Sequence, residues 1–410
     1  MLAGMRICII YDCLFPYTVG GGERWYRNLA ERLAREGHEV TYLTLRQWDR
    51  GERPSVADGN VRVLSVGPRM SLYTADGRRR ILPPLVFGLG VLWHLLLHGR
   101  RYQVVRCCSF PYFSLLSAAL ARPLSRYELE VDWFEVWSKQ YWREYLGGLG
   151  GRIGSLVQRA CARVPQRAFC LSRLHAERLR REGLRTRPTI LRGLYTGPIE
   201  PLDAHTEAED VVLFAGRLIP EKQAPLAVAA IGWARRQIPD LRGTIFGDGP
   251  ERHAVDTMIA ELDLESVVSA PGFAASEAVE EQMRTALCLL LPSQREGYGL
   301  VVVEAAARGT PSIVVAGPDN AAVELIEEGV NGFVCPSSDP KTIAEAIVRA
   351  HEAGTALRES TARWFAEHAH ELELESSLQT VLAGYERETS TRDREIRAGS
   401  GSGCARRPPQ

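Results

Sequence analysis

Between residues 286 and 315 the chain runs apolar segment, broken loop, helix, apolar segment, and that succession leaves few ways to fold. Ala286-Leu287-Cys288-Leu289-Leu290-Leu291 contains no charged or amide side chain, which predicts a strand buried on both faces. Pro292-Ser293-Gln294-Arg295 interrupts it. The stretch from Tyr298 to Arg308 predicts a short helix, closed by Gly309-Thr310-Pro311, and Ser312-Ile313-Val314-Val315 returns as a strand. Strand, loop, helix and strand in that order form the repeat of a parallel sheet, because parallel neighbours need a crossover. Two carboxylates punctuate the unit. Glu296 falls in the loop at the strand's carboxyl end, and Glu304 falls inside the helix between Val301-Val302-Val303 and Ala305-Ala306-Ala307. Burying a carboxylate among such neighbours is costly unless a partner satisfies it, so Glu304 is expected to meet a ligand.

The same alternation recurs on both sides of a polar break. In the first half, strands are expected at Arg6–Tyr11, His38–Thr44, Val61–Val66, Tyr102–Arg106, Glu128–Trp133, Arg167–Ser172 and Thr189–Leu191. Helices intervene, including Glu23–Glu36 after the loop Gly20-Gly21-Gly22 and one that starts at a Ser172 cap. Residues 133–147 hold so many aromatics that they are expected to wall an acceptor cleft or to form core, with the cleft slightly favoured. The second half restarts at Val211–Gly216 and continues through Arg242–Gly247, Val267–Ala270 and the unit described above. The expected organisation is a first Rossmann-like domain over 1–195, a linker over 196–209 and a second Rossmann-like domain over 210–357. A helical region over 358–387 is long enough to cross back to the first domain, and a disordered tail is expected over 388–410.

Composition narrows the class. The chain of 410 residues is 45% hydrophobic and 24% charged, as expected of a two-domain globular protein. Nine cysteines show neither pairing nor metal spacing, which fits a reducing cytoplasm. The segment before the first strand is too short for a signal peptide. Net charge is zero, yet residues 1–200 hold 31 Lys and Arg against 17 Asp and Glu, a surplus of 14 that the second half cancels. A basic first half suits an anionic acceptor or an anionic membrane surface, and Ile81–Leu97 is the most apolar stretch. It is read as an amphipathic or buried helix, short for a membrane span.

The candidate site gathers where open parallel sheets bind ligands, outside the carboxyl ends of their strands. Arg217 and Lys222 lie in the loop after the first strand of the second half, and Glu296 lies in an equivalent loop. If the segment from 296 to 304 is helical, the two carboxylates stand about 10 Å apart along it. A nucleoside-diphosphate sugar has hydroxyls at both ends and an anionic pyrophosphate between them. Two carboxylates could hold the ends, two cations could clamp the pyrophosphate, and amides near Gly299 and Leu300 could face it. With no Asp-x-Asp and no His/Cys cluster, no metal and no other cofactor is expected.

Gly216-Arg217-Leu218 through Glu221-Lys222, Gly247-Asp248-Gly249-Pro250, and Glu296 and Glu304 with seven residues between them resemble the GT-B glycosyltransferases of family 4. The resemblance implies two Rossmann-like domains facing a cleft, acceptor on the first and nucleotide sugar on the second. It implies retaining, metal-independent hexosyl transfer, with Glu296 on the donor sugar, Glu304 on the ribose, and Arg217 and Lys222 on the diphosphate. Amides at Gly299, Leu300 and Val301 assist; Gly247, Gly272 and Phe273 lie near the base; Gly21 and Gly22 approach from the other domain. Many members carry a His after the strand that ends here at Asp132-Trp133. This chain has Phe134 and then Glu135, so Asp132 or Glu135 is the candidate to stand in on the acceptor side. Expected partners are a nucleoside-diphosphate sugar, a saccharide or lipid-linked acceptor and the inner face of a membrane, without nucleic acid. The alternative is a non-catalytic nucleotide-sugar binder. A dinucleotide oxidoreductase is disfavoured by the missing GxGxxG, and a phosphorylase by the lack of an identifiable pyridoxal lysine.

Overall fold

A computed structural model describes residues 4–385 except 19, 50, 53, 55–60, 73, 75–78 and 200–207. The tail expected over 388–410 and most of the linker lie outside the described residues. The first sheet takes β1 (Arg6–Ile10), β2 (Glu39–Thr44), β3 (Val61–Ser65), β4 (Val104–Cys108), β5 (Glu128–Trp133), β6 (Arg167–Cys170) and β7 (Thr189–Ile190) in the spatial order β3-β2-β1-β4-β5-β6-β7, all parallel. Its helices are α1 (Gly21–Arg35), α2 (Leu82–His98), α3 (Phe113–Ser125), α4 (Lys139–Arg163, kinked at Gly147) and α5 (Arg173–Glu182). Right-handed crossovers place α1 on one face of the sheet and α2 to α5 on the other.

The second sheet contains β8 (Glu209–Ala215), β9 (Arg242–Phe246), β10 (Val268–Gly272), β11 (Ala286–Leu291), β13 (Ser312–Val315) and β15 (Gly332–Cys335), in the order β10-β9-β8-β11-β13-β15 and again parallel. A two-stranded ribbon, β12 (Arg295–Glu296) with β14 (Asp319–Asn320), sits beside it. Helices α6 (Ala224–Ala234), α7 (Arg252–Glu261), α8 (Ser276–Thr285), α9 (Leu300–Ala306) and α10 (Pro340–Leu372) complete the domain. Every residue of β11 is buried, as its unbroken apolar run requires. The helix expected over 298–308 is shorter: Gly299 takes a left-handed conformation (φ +97) and caps α9, so the helical rise applies only from Leu300 onward. About 6 Å of helix therefore separates Leu300 from Glu304, and a loop sets the remaining distance to Glu296.

Helix α10 runs on through a kink at Gly354 (φ +54), then breaks where Tyr195 and Glu373 form a bridge. The amides of Leu194 and Tyr195 both donate to the Leu372 carbonyl at 3.0 Å. Residues 374–385 are helical and insert Leu378, Val381 and Tyr385 into the core of the first domain. There the Tyr385 hydroxyl donates to Glu130 at 2.6 Å. Glu130 also receives Arg106 and Arg167, each at 3.1 Å, and Arg106 is fully buried with its fork on Asp132. A buried guanidinium is tolerated here because two carboxylates and the Phe169 ring, 4.2 Å from its carbon, surround it.

Candidate active site

Each sheet reverses its winding once, between β1 and β4 in the first domain and between β8 and β11 in the second. Strand order reversals leave a crevice at the carboxyl ends. The connection after β8 carries Arg217 and, in a 3-10 turn, Lys222; the connection after β11 carries Glu296, in the short strand β12 where the expectation was a loop. The Lys222 ammonium contacts a Glu296 carboxylate oxygen, and Glu296 is 8% exposed. Arg217 is exposed, and among the described residues its guanidinium has no ion-pair partner. Glu221 does not compete for Lys222: it accepts from the Tyr141 hydroxyl at 2.7 Å and lies 3.5 Å from Arg295.

Glu304 projects from α9 with no hydrogen-bond partner among the described residues. Burial pushes its carboxyl above the usual range, Glu280 adds to that, and Arg24 and Arg308 oppose it. Arg24 belongs to the first turns of α1, so Glu304 lies within electrostatic reach of the opposite domain. The amides of Gly299, Leu300 and Val301 open α9, where backbone N–H groups lack intrahelical acceptors. Gly247 and Gly272 are laced together, the Gly247 amide donating to the Gly272 carbonyl at 2.8 Å, and Phe273 beside them is 85% exposed. Gly247 has φ +135, and a Cβ there would fall 1.8 Å from the Gly216 carbonyl oxygen. Only glycine lets these two loops close on each other.

From the first domain, Gly21 is open while a Cβ on Gly22 would meet the Tyr11 hydroxyl at 2.8 Å and the Phe134 ring at 3.2 Å. Phe134 thus fills the space beside the glycine loop and tilts against Tyr26, ring centres 5.9 Å apart. Of the two acidic stand-ins beside it, Asp132 is corrected by the structure. It is 1% exposed and committed to Arg106, because an inward position on a central strand faces the core. Glu135 instead reaches the cleft and pairs with Arg295 of the second domain, besides accepting from the Trp137 indole at 2.8 Å. Burial disfavours its charge, but Arg295, His175, the Trp137 hydrogen bond and Lys222 together hold its carboxyl below the usual range.

The aromatic stretch divides between the two expectations, core and cleft. Trp133, Trp137 and Trp142 are buried in the first domain's core, packed against Tyr112 and Phe110. Only their edge serves the cleft: the Arg295 guanidinium lies 5.0 Å from the Trp137 ring and 4.6 Å from Tyr141.

Several interdomain residues were invisible to motif reading. Asp319 accepts from the Ser138 amide at 3.1 Å, from its hydroxyl at 2.7 Å, and from Arg178. Glu324 accepts the first free amides of α5, Arg173 at 2.9 Å and Leu174 at 2.7 Å. His175 Nδ1 accepts from the Val136 amide at 3.1 Å, while its Nε2 lies 3.4 Å from the Glu296 carbonyl. One signal was present in the sequence, since Arg295 stands directly before Glu296. Among the described residues no cluster of three or more His, Cys, Asp or Glu is placed to hold a metal, and the eight described cysteines are buried and unpaired.

The model of the glycosyl transferases group 1 family matches residues 203–366, and that of the glycosyl transferase 4-like domain matches residues 20–192. The α-D-kanosaminyltransferase of Streptomyces kanamyceticus is 26% identical over 210 residues, 48% of this chain and 54% of that one. The chain spans about half or less of the length of the curated relatives it matches, down to 16% for one of them. Sucrose-phosphate synthase of Thermosynechococcus elongatus superposes with a TM-score of 0.75 at 20% identity, covering 94% of this chain and 100% of that one. Anabaena Alr3699/HepE, solved with UDP-glucose, gives 0.66 at 18% identity over 93% and 100%. Two matches, one over most of the first domain and one over the second, and a shared two-domain architecture place the chain in the group 1 glycosyltransferases of GT-B fold.

Proposed function

We propose that the chain moves a glycosyl group from a nucleoside-diphosphate sugar to a saccharide or lipid-linked acceptor, with retention and without a metal. The observation that carries this reading is the contact of Lys222 with the nearly buried Glu296 beside the exposed Arg217, which has no ion-pair partner among the described residues, at the switch point of the second sheet. A cation held by a carboxylate next to an exposed cation suits a ligand that is anionic at one point and hydroxylated at the next. Arg217 and Lys222 take the diphosphate and absorb the charge that develops on it as the glycosyl bond breaks, which makes a metal unnecessary. Glu296 then orients the donor sugar hydroxyls and Glu304 the ribose. Amides at Gly299, Leu300 and Val301 face the phosphates, Gly247, Gly272 and Phe273 frame the base, and Gly21 and Gly22 approach from the first domain. The transferase named among the relatives and the UDP-glucose seen in a protein of similar fold support this donor class.

For the acceptor, the basic first half and the outward apolar side chains of α2 support a cytoplasmic protein that works at a membrane's inner face. Helix Leu82–Arg101 is long and apolar enough to cross a membrane by length and composition, but it packs along α3, where Ser117 Oγ donates to the Gly88 carbonyl at 2.7 Å. Leu82, Leu89, Trp93 and Leu97 remain largely exposed. The test is a screen of nucleoside-diphosphate sugars by thermal shift, then NMR of the product's anomeric proton with and without chelator. Inverted product, or transfer abolished by chelation, refutes the corresponding part of the proposal. A second reading, a non-catalytic nucleotide-sugar binder, draws on Phe134 filling the space beside the glycine loop. Tight donor binding with neither transfer nor hydrolysis for any donor would favour it.

A further inference from the structure

At the end of the first sheet opposite the cleft, the amino-terminal portions of β1, β2 and β3 and the last turns of α2 line a half-open concavity of about 290 Å³. Arg6, Arg62, Arg101, His94 and His98 face it, with Glu39 as the one acid in its wall. Among the described residues Arg62 and Arg101 have no ion-pair partner, and Arg6 spends its Nε on the Arg101 carbonyl at 2.5 Å, leaving its charge unneutralised. Three guanidiniums against one carboxylate give the cavity a surplus of two positive charges before either histidine is counted. Burial lowers the His94 imidazole to about 4, and His98, Arg62 and Arg101 add to that. The polar atoms are already oriented: His94 Nε2 lies 2.9 Å from the Tyr102 hydroxyl, and the two imidazoles stack at 4.8 Å.

Single surface arginines are normally solvated and need no ligand. Three that converge on one concavity repel each other, and an anion with several acceptor oxygens relieves that repulsion while matching the planar fork of each guanidinium. We propose that this cavity is a second ligand site, for a phosphate group bearing up to two negative charges. It is separate from the donor crevice, because the first sheet faces the cleft with the carboxyl ends of its strands and this cavity lies at their amino ends. The phosphate could arrive as a soluble phosphomonoester or as a lipid headgroup. Trp93 is 67% exposed and Leu97 60% exposed, flanking His94 and His98 on the same turns of α2. A bilayer would cover those two side chains while a headgroup entered the cavity.

The full chain and its R62Q/R101Q variant are to be titrated with inorganic phosphate and glycerol 3-phosphate by calorimetry. The same pair is sedimented with vesicles of phosphatidylcholine alone or with added phosphatidic acid. For a headgroup ligand, each arginine lost should weaken binding to the phosphatidic acid vesicles about fivefold, and the two together about 25-fold. For a soluble ligand, heat of phosphate binding should vanish in the variant. W93S/L97S separates the sources, because it weakens vesicle binding and leaves soluble phosphate untouched. UDP binding, measured in the same samples, should be unchanged in every variant, so a failed donor site and a failed phosphate site are told apart. If R62Q/R101Q melts below the wild type, Arg101→Gln alone is used, with the fivefold expectation. Equal binding of both phosphate probes and both vesicle types by wild type and variant overturns the proposal.

Discussion

Glu296→Gln tests the crevice most directly, because the proposed roles of Lys222 and Glu296 pull nucleotide binding and sugar transfer in opposite directions. Lys222 is engaged by Glu296. A diphosphate that contacts Lys222 from the cleft brings its charge to about 6 Å from the Glu296 carboxylate. Coulomb's law at that distance gives about 1–3 kcal/mol of repulsion, for effective dielectric values between water's and about 20. Glutamine keeps the shape and an acceptor oxygen for Lys222 but removes the charge. The variant should therefore bind free nucleoside diphosphate at least about fivefold more tightly. It should also lose sugar orientation, and kcat for transfer should fall on the order of 100-fold. Calorimetry with nucleoside diphosphate and a coupled assay of nucleotide release give the two readouts. Weaker or unchanged diphosphate binding would refute the electrostatic coupling, and unchanged kcat would remove Glu296 from the sugar's surroundings.

Three further outcomes are expected. Gly247→Ala should destabilise the second domain by about 3 kcal/mol or more, since φ +135 and a Cβ 1.8 Å from the Gly216 oxygen both oppose it; a urea midpoint equal to wild type would contradict this. Asp319→Ala removes the acceptor shared by Ser138 and Arg178 and should loosen the two domains by about 2–4 kcal/mol, seen as a larger radius of gyration in X-ray scattering that donor binding reverses. His175 is lowered from its ordinary value near 6.5 by burial, with Arg178 adding and Glu135, Asp319 and the Glu296 carbonyl opposing. The folded state then binds fewer protons than the unfolded, so stability is lost as pH falls below about 6.5, by up to about 1.4 kcal/mol per pH unit from this residue. Protonation also ends the acceptance of the Val136 amide at Nδ1. His175→Gln should flatten that acid slope, and identical pH profiles of melting would exclude the residue as its source.

What the sequence determined was set by local patterning. Apolar runs such as Ala286–Leu291, spaced by helix-length segments, dictate parallel sheets because strands buried on both faces need helical crossovers. Short-range motifs likewise placed Arg217, Lys222 and Glu296 just beyond strand ends, although Lys222 closes a 3-10 turn and Glu296 lies in the short strand β12, and the Ser172 cap held to the residue, its hydroxyl accepting from the His175 amide at 3.3 Å. Helix ends were less legible. Tyr298 looked helical by neighbourhood, but the left-handed Gly299 starts α9 only at Leu300, and a glycine's sign of φ is not written in its neighbours.

The tertiary structure alone decided which charges meet. Asp132 and Glu135 are three residues apart, yet one faces the core and pairs with Arg106 while the other crosses the cleft to Arg295. Their identical chemistry cannot distinguish them; strand alternation and the turn after β5 do. The same holds for Asp319 with Ser138, and for Tyr385 with Glu130, partners separated by 181 and 255 residues. Periodicity constrains what a segment buries, whereas the partner of a buried charge is fixed only when two distant segments are brought to the same place.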